Sequence, residues 1–190
     1  MNVETKPAES AVAIVADLGR RAKAAAVALR NAGTEAKNRA LAEAARLIRL
    51  EKAAILAANA RDIATAQAAG LSAALQDRLL LDDARVEAMA RGLDGIVALP
   101  DPVGAKIEEW TRPNGLVISR VRVPIGIIGV IYEARPNVTA DAGALCIKSG
   151  NVVVLRGGSD SFHSSRAIVE ILRQALASAM HNLVERVDVL

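Results

Sequence analysis

Residues Val123–Ser159 read VPIGIIGVIYEARPNVTADAGALCIKSGNVVVLRGGS, and this stretch decides the fold. Two apolar runs, Ile125–Ile131 and Val152–Leu155, each end in polar, turn-forming residues. The segment between them has helical spacing and closes at Gly150. The pattern predicts strand, crossover helix, strand, with loop chemistry gathered at the strand ends. Ligand sites in open α/β sheets lie at such carboxyl ends. Downstream, a helix is predicted from about Asp160 to Met180, and Arg186–Leu190 reads as a third strand cut off at its finish. A β-α-β-α-β order implies a parallel sheet with right-handed crossovers.

Upstream the character differs. Ser10 to about Arg30 is Ala-rich with interspersed Arg and Lys, a strong helix former. Asn31-Ala32-Gly33 breaks it, and Thr34 is placed to cap a second helical stretch that is interrupted at least once and stops at Gly70. Leu41, Ala44, Ile48 and Ile55 share one face of that stretch, as the core-facing stripe of a globular helix would. Ser72–Leu81 reads as a short helix, and Asp82-Asp83 offers N-caps for another ending near Leu99. Pro100-Asp101-Pro102 marks a boundary, because proline fixes φ and restricts the residue before it. Lys106–Thr111 and Leu116–Val123 then flank Arg112-Pro113-Asn114-Gly115 as a hairpin. Its second strand is expected to be one-sided, with a polar face toward solvent or a partner chain.

Composition limits the functions available. Hydrophobic residues make up 52% of the 190 and aromatic ones 2%, so the core must be Ala, Val, Leu and Ile. The formal charge of +3 is spread along the chain rather than gathered in a stripe with stacking aromatics, which argues against a nucleic-acid reader. No apolar run approaches the length of a membrane span. The polar start, MNVETKPAES, lacks the apolar core of a signal peptide. A single cysteine fits a reducing cytoplasm.

The strand ends carry the candidate chemistry. After the first come Tyr132-Glu133-Ala134-Arg135-Pro136-Asn137: a carboxylate, a guanidinium and an amide close together, stiffened by proline. Asn137 has two readings, a cap for the crossover helix or an amide aimed at a developing oxyanion. After the second strand comes Arg156-Gly157-Gly158-Ser159. Paired glycines before a helix N-terminus allow close backbone approach to a phosphate. The GxGxxG dinucleotide fingerprint is absent. Arg156, however, stands about thirty residues from the start of the first strand, where an arginine accommodates the extra phosphate of NADP. The other reading is a glycine turn beside a surface arginine. Cys146 falls with Val138, Ala142 and Leu145 on what reads as the apolar face of the crossover helix, as a small hydrophobe. His163 and His181 have no ligand spacing, so no metal site is expected.

These motifs carry a resemblance. VPIGIIGVIYEARPNVT and ALCIKSGNVVVLRGGSDS, with Glu109–Leu116 ahead of them, resemble the γ-glutamyl phosphate reductase (glutamate-5-semialdehyde dehydrogenase) family of the aldehyde dehydrogenase superfamily. The likeness runs from about residue 10 to residue 175. It implies an aldehyde-dehydrogenase-like α/β fold: helices 1–99, a hairpin 100–123, and a Rossmann-like half over 124–190. It implies NADPH-dependent reduction of L-glutamate 5-phosphate to L-glutamate 5-semialdehyde with release of phosphate, in L-proline biosynthesis. Asn137 matches the oxyanion amide, while Arg156, Gly157, Gly158 and Ser159 match the segment holding the adenosine end of the cofactor. Arg135 becomes a candidate contact for an anionic substrate group. Family members are longer, and their nucleophilic cysteine lies in a further domain not contained in this chain. Cys146 matches a helix position instead. On this basis the chain is an incomplete NADP-binding domain expected to be inactive alone, and its 107–123 hairpin offers a surface for a second copy. The rival is a non-catalytic module that binds nucleotide or associates with other chains. A relative acting on another aldehyde is disfavoured, because YEARPN replaces the shorter Pro-Trp-Asn turn of most of the superfamily.

Overall fold

A computed structural model describes residues 10–179. Five helices come first: α1 (Ala11–Arg30), α2 (Thr34–Leu50), α3 (Lys52–Ala68), α4 (Ala73–Leu79) and α5 (Asp83–Ala98). Their starts follow local chemistry. The side chains of Ser10, Ser72 and Asp82 accept from backbone N–H groups three residues on, satisfying donors that a helix leaves free. The start of α2 differs from expectation. Gly33 holds the cap position without a side chain, and Thr34 Oγ1 donates instead to Asp101 Oδ2 at 2.7 Å. Thr34 is the first helical residue, one position past the cap, and its hydroxyl hydrogen makes a charge-assisted bond to the carboxylate.

Asp101 also ion-pairs with Lys37 at 2.5 Å and accepts from Val103 N at 2.9 Å. Lys37 is only 1% exposed, so this carboxylate neutralises a cation inside the protein. The crossing from helices to strands is thereby tied to the start of α2. Burial pushes the Asp101 carboxyl up, but Lys37, Thr34 and Val103 together hold it below the usual aspartate value.

The hairpin follows: β1 (Lys106–Thr111) pairs antiparallel with β2 (Val117–Val121). Gly115 takes φ +84° in the turn, and Asn114 Oδ1 accepts from Leu116 N. Both faces are exposed, not one as expected, because nothing among the described residues covers either. Ile107, Val117 and Val121 are each about half exposed.

Next come β3 (Ile127–Ile131), α6 (Asn137–Lys148), β4 (Val152–Arg156), a 3₁₀ turn (Ser159–Ser161) and α7 (Phe162–Ala179). The strands pair in parallel from Ile127 opposite Val152 to Ile131 opposite Arg156. Gly150 closes α6 at φ +73°, with Asn151 N donating back to Cys146 O, the hydrogen-bonded form of a glycine-terminated helix. Asn151 Oδ1 then accepts from Gly126 N, clamping the starts of both strands together. The third strand read at Arg186–Leu190 lies outside the described residues, as does His181.

One apolar cluster joins the helical half to the Rossmann-like half. Leu41 and Ile48 of α2, Ile55 of α3, Leu93 of α5, Ala140 and Ala144 of α6 and Ile168 of α7 are all fully buried within it. The buried surface of α6 is wider than the reading above: Cys146 is buried and Ala142 packs against its cluster as read, but a second face is buried as well. Ala140, Gly143, Ala144 and Ile147 face inward, while Leu145 is half exposed. Lys148, also buried, donates to Asn38 Oδ1 and Val97 O and so pins α6 to α2 and α5. Among the described residues no helix is long and apolar enough to cross a membrane.

Candidate functional site at the ends of two parallel strands

The equal register of β3 and β4 brings both strands to an end at the same level, and Tyr132 N extends the pairing to Arg156 O at 3.0 Å. Their two outgoing loops touch. A Cβ built on Gly157 would lie 3.2 Å from Tyr132 Oη and 3.3 Å from Ser165 Oγ. One built on Gly158 would lie 3.4 Å from the backbone of Glu133. The paired glycines thus let the second turn rest on the first. Tyr132 is itself held by a 2.6 Å hydrogen bond with buried Thr139. Arg156 is exposed, donates to the carbonyl of Gly157, and has no acidic partner among the described residues.

The start of α7 is already occupied by an anion of the protein. Asp62 of α3, 2% exposed, accepts from His163 N at 3.0 Å, Ser164 N at 2.8 Å and Ser164 Oγ at 2.5 Å. The carboxylate takes the free N–H groups and the favourable end of the helix dipole. These amides are therefore not free for a ligand phosphate. Asn59, one turn earlier, bonds Ser164 Oγ, Leu79 O and Leu81 N. One buried network ties α3, α7 and the α4–α5 turn together. Both residues continue the stripe of Ile48 and Ile55, so two polar residues on a buried face were the signal to be read.

Asn137 is the first residue of α6, and Pro136 stands in the cap position. The cap reading therefore fails. Instead Asn137 Nδ2 donates to Asp141 Oδ2 at 3.1 Å. A carboxylate only accepts, so this contact fixes which end of the amide is nitrogen. The second amide hydrogen has no protein partner among the described residues. Burial pushes the Asp141 carboxyl above its usual value, partly offset by the hydrogen bond from Asn137.

Arg135, Asn137 and Asp141 line an open groove of about 390 Å³ together with Asp77, Arg78 and Arg85 from the α4–α5 region. Pockets for small ligands begin at about that size. Cys146 lies elsewhere, buried in a second cluster with Val153, Leu155 and Val169, and burial raises its thiol pKa. It has neither the access nor the ionisation of a nucleophile. Among the described residues no group of three His, Cys, Asp or Glu side chains could hold a metal.

No family model matches the chain. It is similar to the γ-glutamyl phosphate reductases of Paramagnetospirillum magneticum (58% identical over 161 residues, 85% of this chain and 38% of that protein) and of Rhodopseudomonas palustris strain HaA2 (60% over 163 residues, 86% and 38%). The chain spans about two fifths of the length of these curated relatives. The solved γ-glutamyl phosphate reductase of Thermotoga maritima superposes with a TM-score of 0.88 at 41% identity, over 93% of this chain and 42% of that one. An acetylating aldehyde dehydrogenase from Geobacillus thermoglucosidasius shares the fold, at TM-score 0.65 and 16% identity over 88% of this chain and 34% of that one.

Proposed function

Because the chain is, over the span it covers, homologous to γ-glutamyl phosphate reductases and has the aldehyde dehydrogenase fold, we propose that it forms the cofactor-binding wall of such an enzyme. In this reading the whole protein reduces L-glutamate 5-phosphate to L-glutamate 5-semialdehyde, releasing phosphate, in L-proline biosynthesis. Residues 1–99, 100–123 and 124–190 are then the helical part, the hairpin and the Rossmann-like half of an incomplete NADP-binding domain, working in the cytoplasm. The observation that carries the reading is the identity near 58% across a chain whose paired strand ends bear Asn137 and Arg156.

Attack on an acyl phosphate places negative charge on the acyl oxygen. An amide held rigidly by Asp141, with one hydrogen still to give, suits that oxygen. Arg135 stands two residues away, where the leaving phosphate needs a cation. The attacking thiolate is not Cys146, and in this reading it lies outside residues 1–190. NADPH, when bound, supplies the hydride. Arg156 would meet its extra phosphate, with Gly157, Gly158 and Ser159 as the adjoining backbone and hydroxyl contacts. The exposed apolar residues of β1 and β2 would be covered by a second copy of the chain.

Calorimetric titration tests the cofactor assignment. The chain is expected to bind NADPH at least about tenfold more tightly than NADH, and Arg156→Ala to remove that preference. Equal or absent binding by folded protein would count against it. Assayed for phosphate-dependent oxidation of the semialdehyde, residues 1–190 are expected to show no turnover. Robust turnover would return attention to Cys146.

A further inference from the structure

The α4–α5 side of the groove has no role in the reading above. Its charges do not cancel. Asp77 is committed to Arg85, whose guanidinium pairs with the carboxylate at 2.7 Å and also donates to the carbonyls of Asp77 and Leu80. Asp141 accepts from the neutral amide of Asn137 and keeps its charge, so the groove's excess is a single positive charge. Arg135 and Arg78 are its two cations without an ion pair among the described residues. The backbone that carries Arg78 is fixed. Leu79 is fully buried, Asn59 Nδ2 holds Leu79 O and Asn59 Oδ1 holds Leu81 N, both at 2.8 Å. The second cation is therefore supported by a rigid turn before any ligand arrives.

We infer that Arg78 is a specificity-determining residue that receives the α-carboxylate of an acidic amino-acid substrate; this rests on the proposed function, because it uses Asn137 to place the acyl carbon. The substrate has an anion at each end. Its phosphate is joined to the acyl carbon and belongs with Asn137 and Arg135. Its α-carboxylate is at the far end of the carbon chain, and Arg78, on a different element of the same groove, is the remaining guanidinium without an ion pair. A planar guanidinium accepts a carboxylate through two parallel hydrogen bonds, which a neutral or shortened substrate could not reproduce.

The test is an NMR titration of the ¹⁵N-labelled chain with L-glutamate and with 4-aminobutyrate, the same skeleton without the α-carboxylate. L-glutamate is expected to shift resonances of residues 77–85 and 135–141 and to bind about tenfold tighter than 4-aminobutyrate. Arg78→Gln should abolish that difference, and Arg78→Lys, which keeps the charge but not the planar pair, should retain part of it. Unchanged discrimination in Arg78→Gln would overturn the inference, as would L-glutamate leaving the groove undisturbed. NADPH titration of the same samples separates the two claims. A chain that binds NADPH but ignores L-glutamate loses only the Arg78 assignment, and one that binds L-glutamate but not NADPH loses the cofactor reading.

Discussion

Replacing Asp62 by alanine should be among the most damaging single changes in this chain. The side chain is 2% exposed and its oxygens receive three hydrogen bonds, from His163 N, Ser164 N and Ser164 Oγ. Each bond to a charged acceptor is worth roughly 1.5–3 kcal/mol, and the three are not additive because they share one carboxylate. Truncation also strips the start of α7 of its anion, about 0.3–1 kcal/mol or somewhat more when partly buried. Ser164 Oγ keeps its bond from Asn59, which limits the loss. The net cost is about 3–5 kcal/mol, against a total of roughly 5–15 kcal/mol for a typical domain. Urea unfolding followed by circular dichroism should show a much lower midpoint at unchanged slope. Asp62→Asn, which keeps the volume but turns donors toward donors, should fall between. Asp94→Ala is the control. It breaks an exposed 2.7 Å pair with Arg49 and should cost under about 1 kcal/mol. If Asp62→Ala were as mild as Asp94→Ala, the assignment of Asp62 as the cap of α7 would be wrong. Because α7 follows the Gly157–Ser161 turn, the same variant should also weaken NADPH binding at temperatures where it remains folded.

Asp101→Asn should destabilise by about 3–5 kcal/mol in the same unfolding assay, because it leaves the buried Lys37 ammonium uncompensated. The folded carboxyl sits below its ordinary value, so its stabilisation is complete above the unfolded value of about 3.9 and is lost as pH falls through the folded one. Wild type should therefore lose stability more steeply than Asp101→Asn on acidification through that window. Gly150→Ala should cost about 1–3 kcal/mol, since the position holds φ +73° and a Cβ there would meet Pro124 Cγ at 2.9 Å. Gly95→Ala, in the last turn of α5 with nothing within 4 Å, should instead stabilise by roughly 0.5–1 kcal/mol. The opposite signs of the two glycine changes are the measurement that matters.

What was legible in the sequence was whatever is settled within a few residues. Ser10, Ser72 and Asp82 cap helices because the donors they satisfy lie three residues on. Gly70 and Gly150 end helices because they accept a positive φ, at +70° and +73°. The hairpin turn and the strand–helix–strand unit follow from turn residues, apolar runs and helical period. The homology, too, was readable from YEARPNVT and KSGNVVVLRGG alone. Where local reading failed, a distant group had outbid a near one. Thr34 bonds Asp101 across 67 positions instead of capping its own helix. The buried surface of α6 was read too narrowly: besides the side of Cys146 and Ala142, a face of small residues lets α2, α5 and α7 approach, and Leu145 stays half exposed.

The sequence by itself therefore determined the order of the described elements and the two parallel strands that end at one level. Only the tertiary structure decided which charges are spent and which remain free. Asp62 lies about a hundred positions from the amides it caps, and Asp77 and Asp141 are taken by Arg85 and Asn137. Arg78, Arg135 and Arg156 have no acidic partner among the described residues, and Asp141, bonded to a neutral amide, keeps its own charge. Hydrophobic period and capping act within one helical turn, whereas electrostatic compensation depends on distances through space. No spacing along the chain reports those distances.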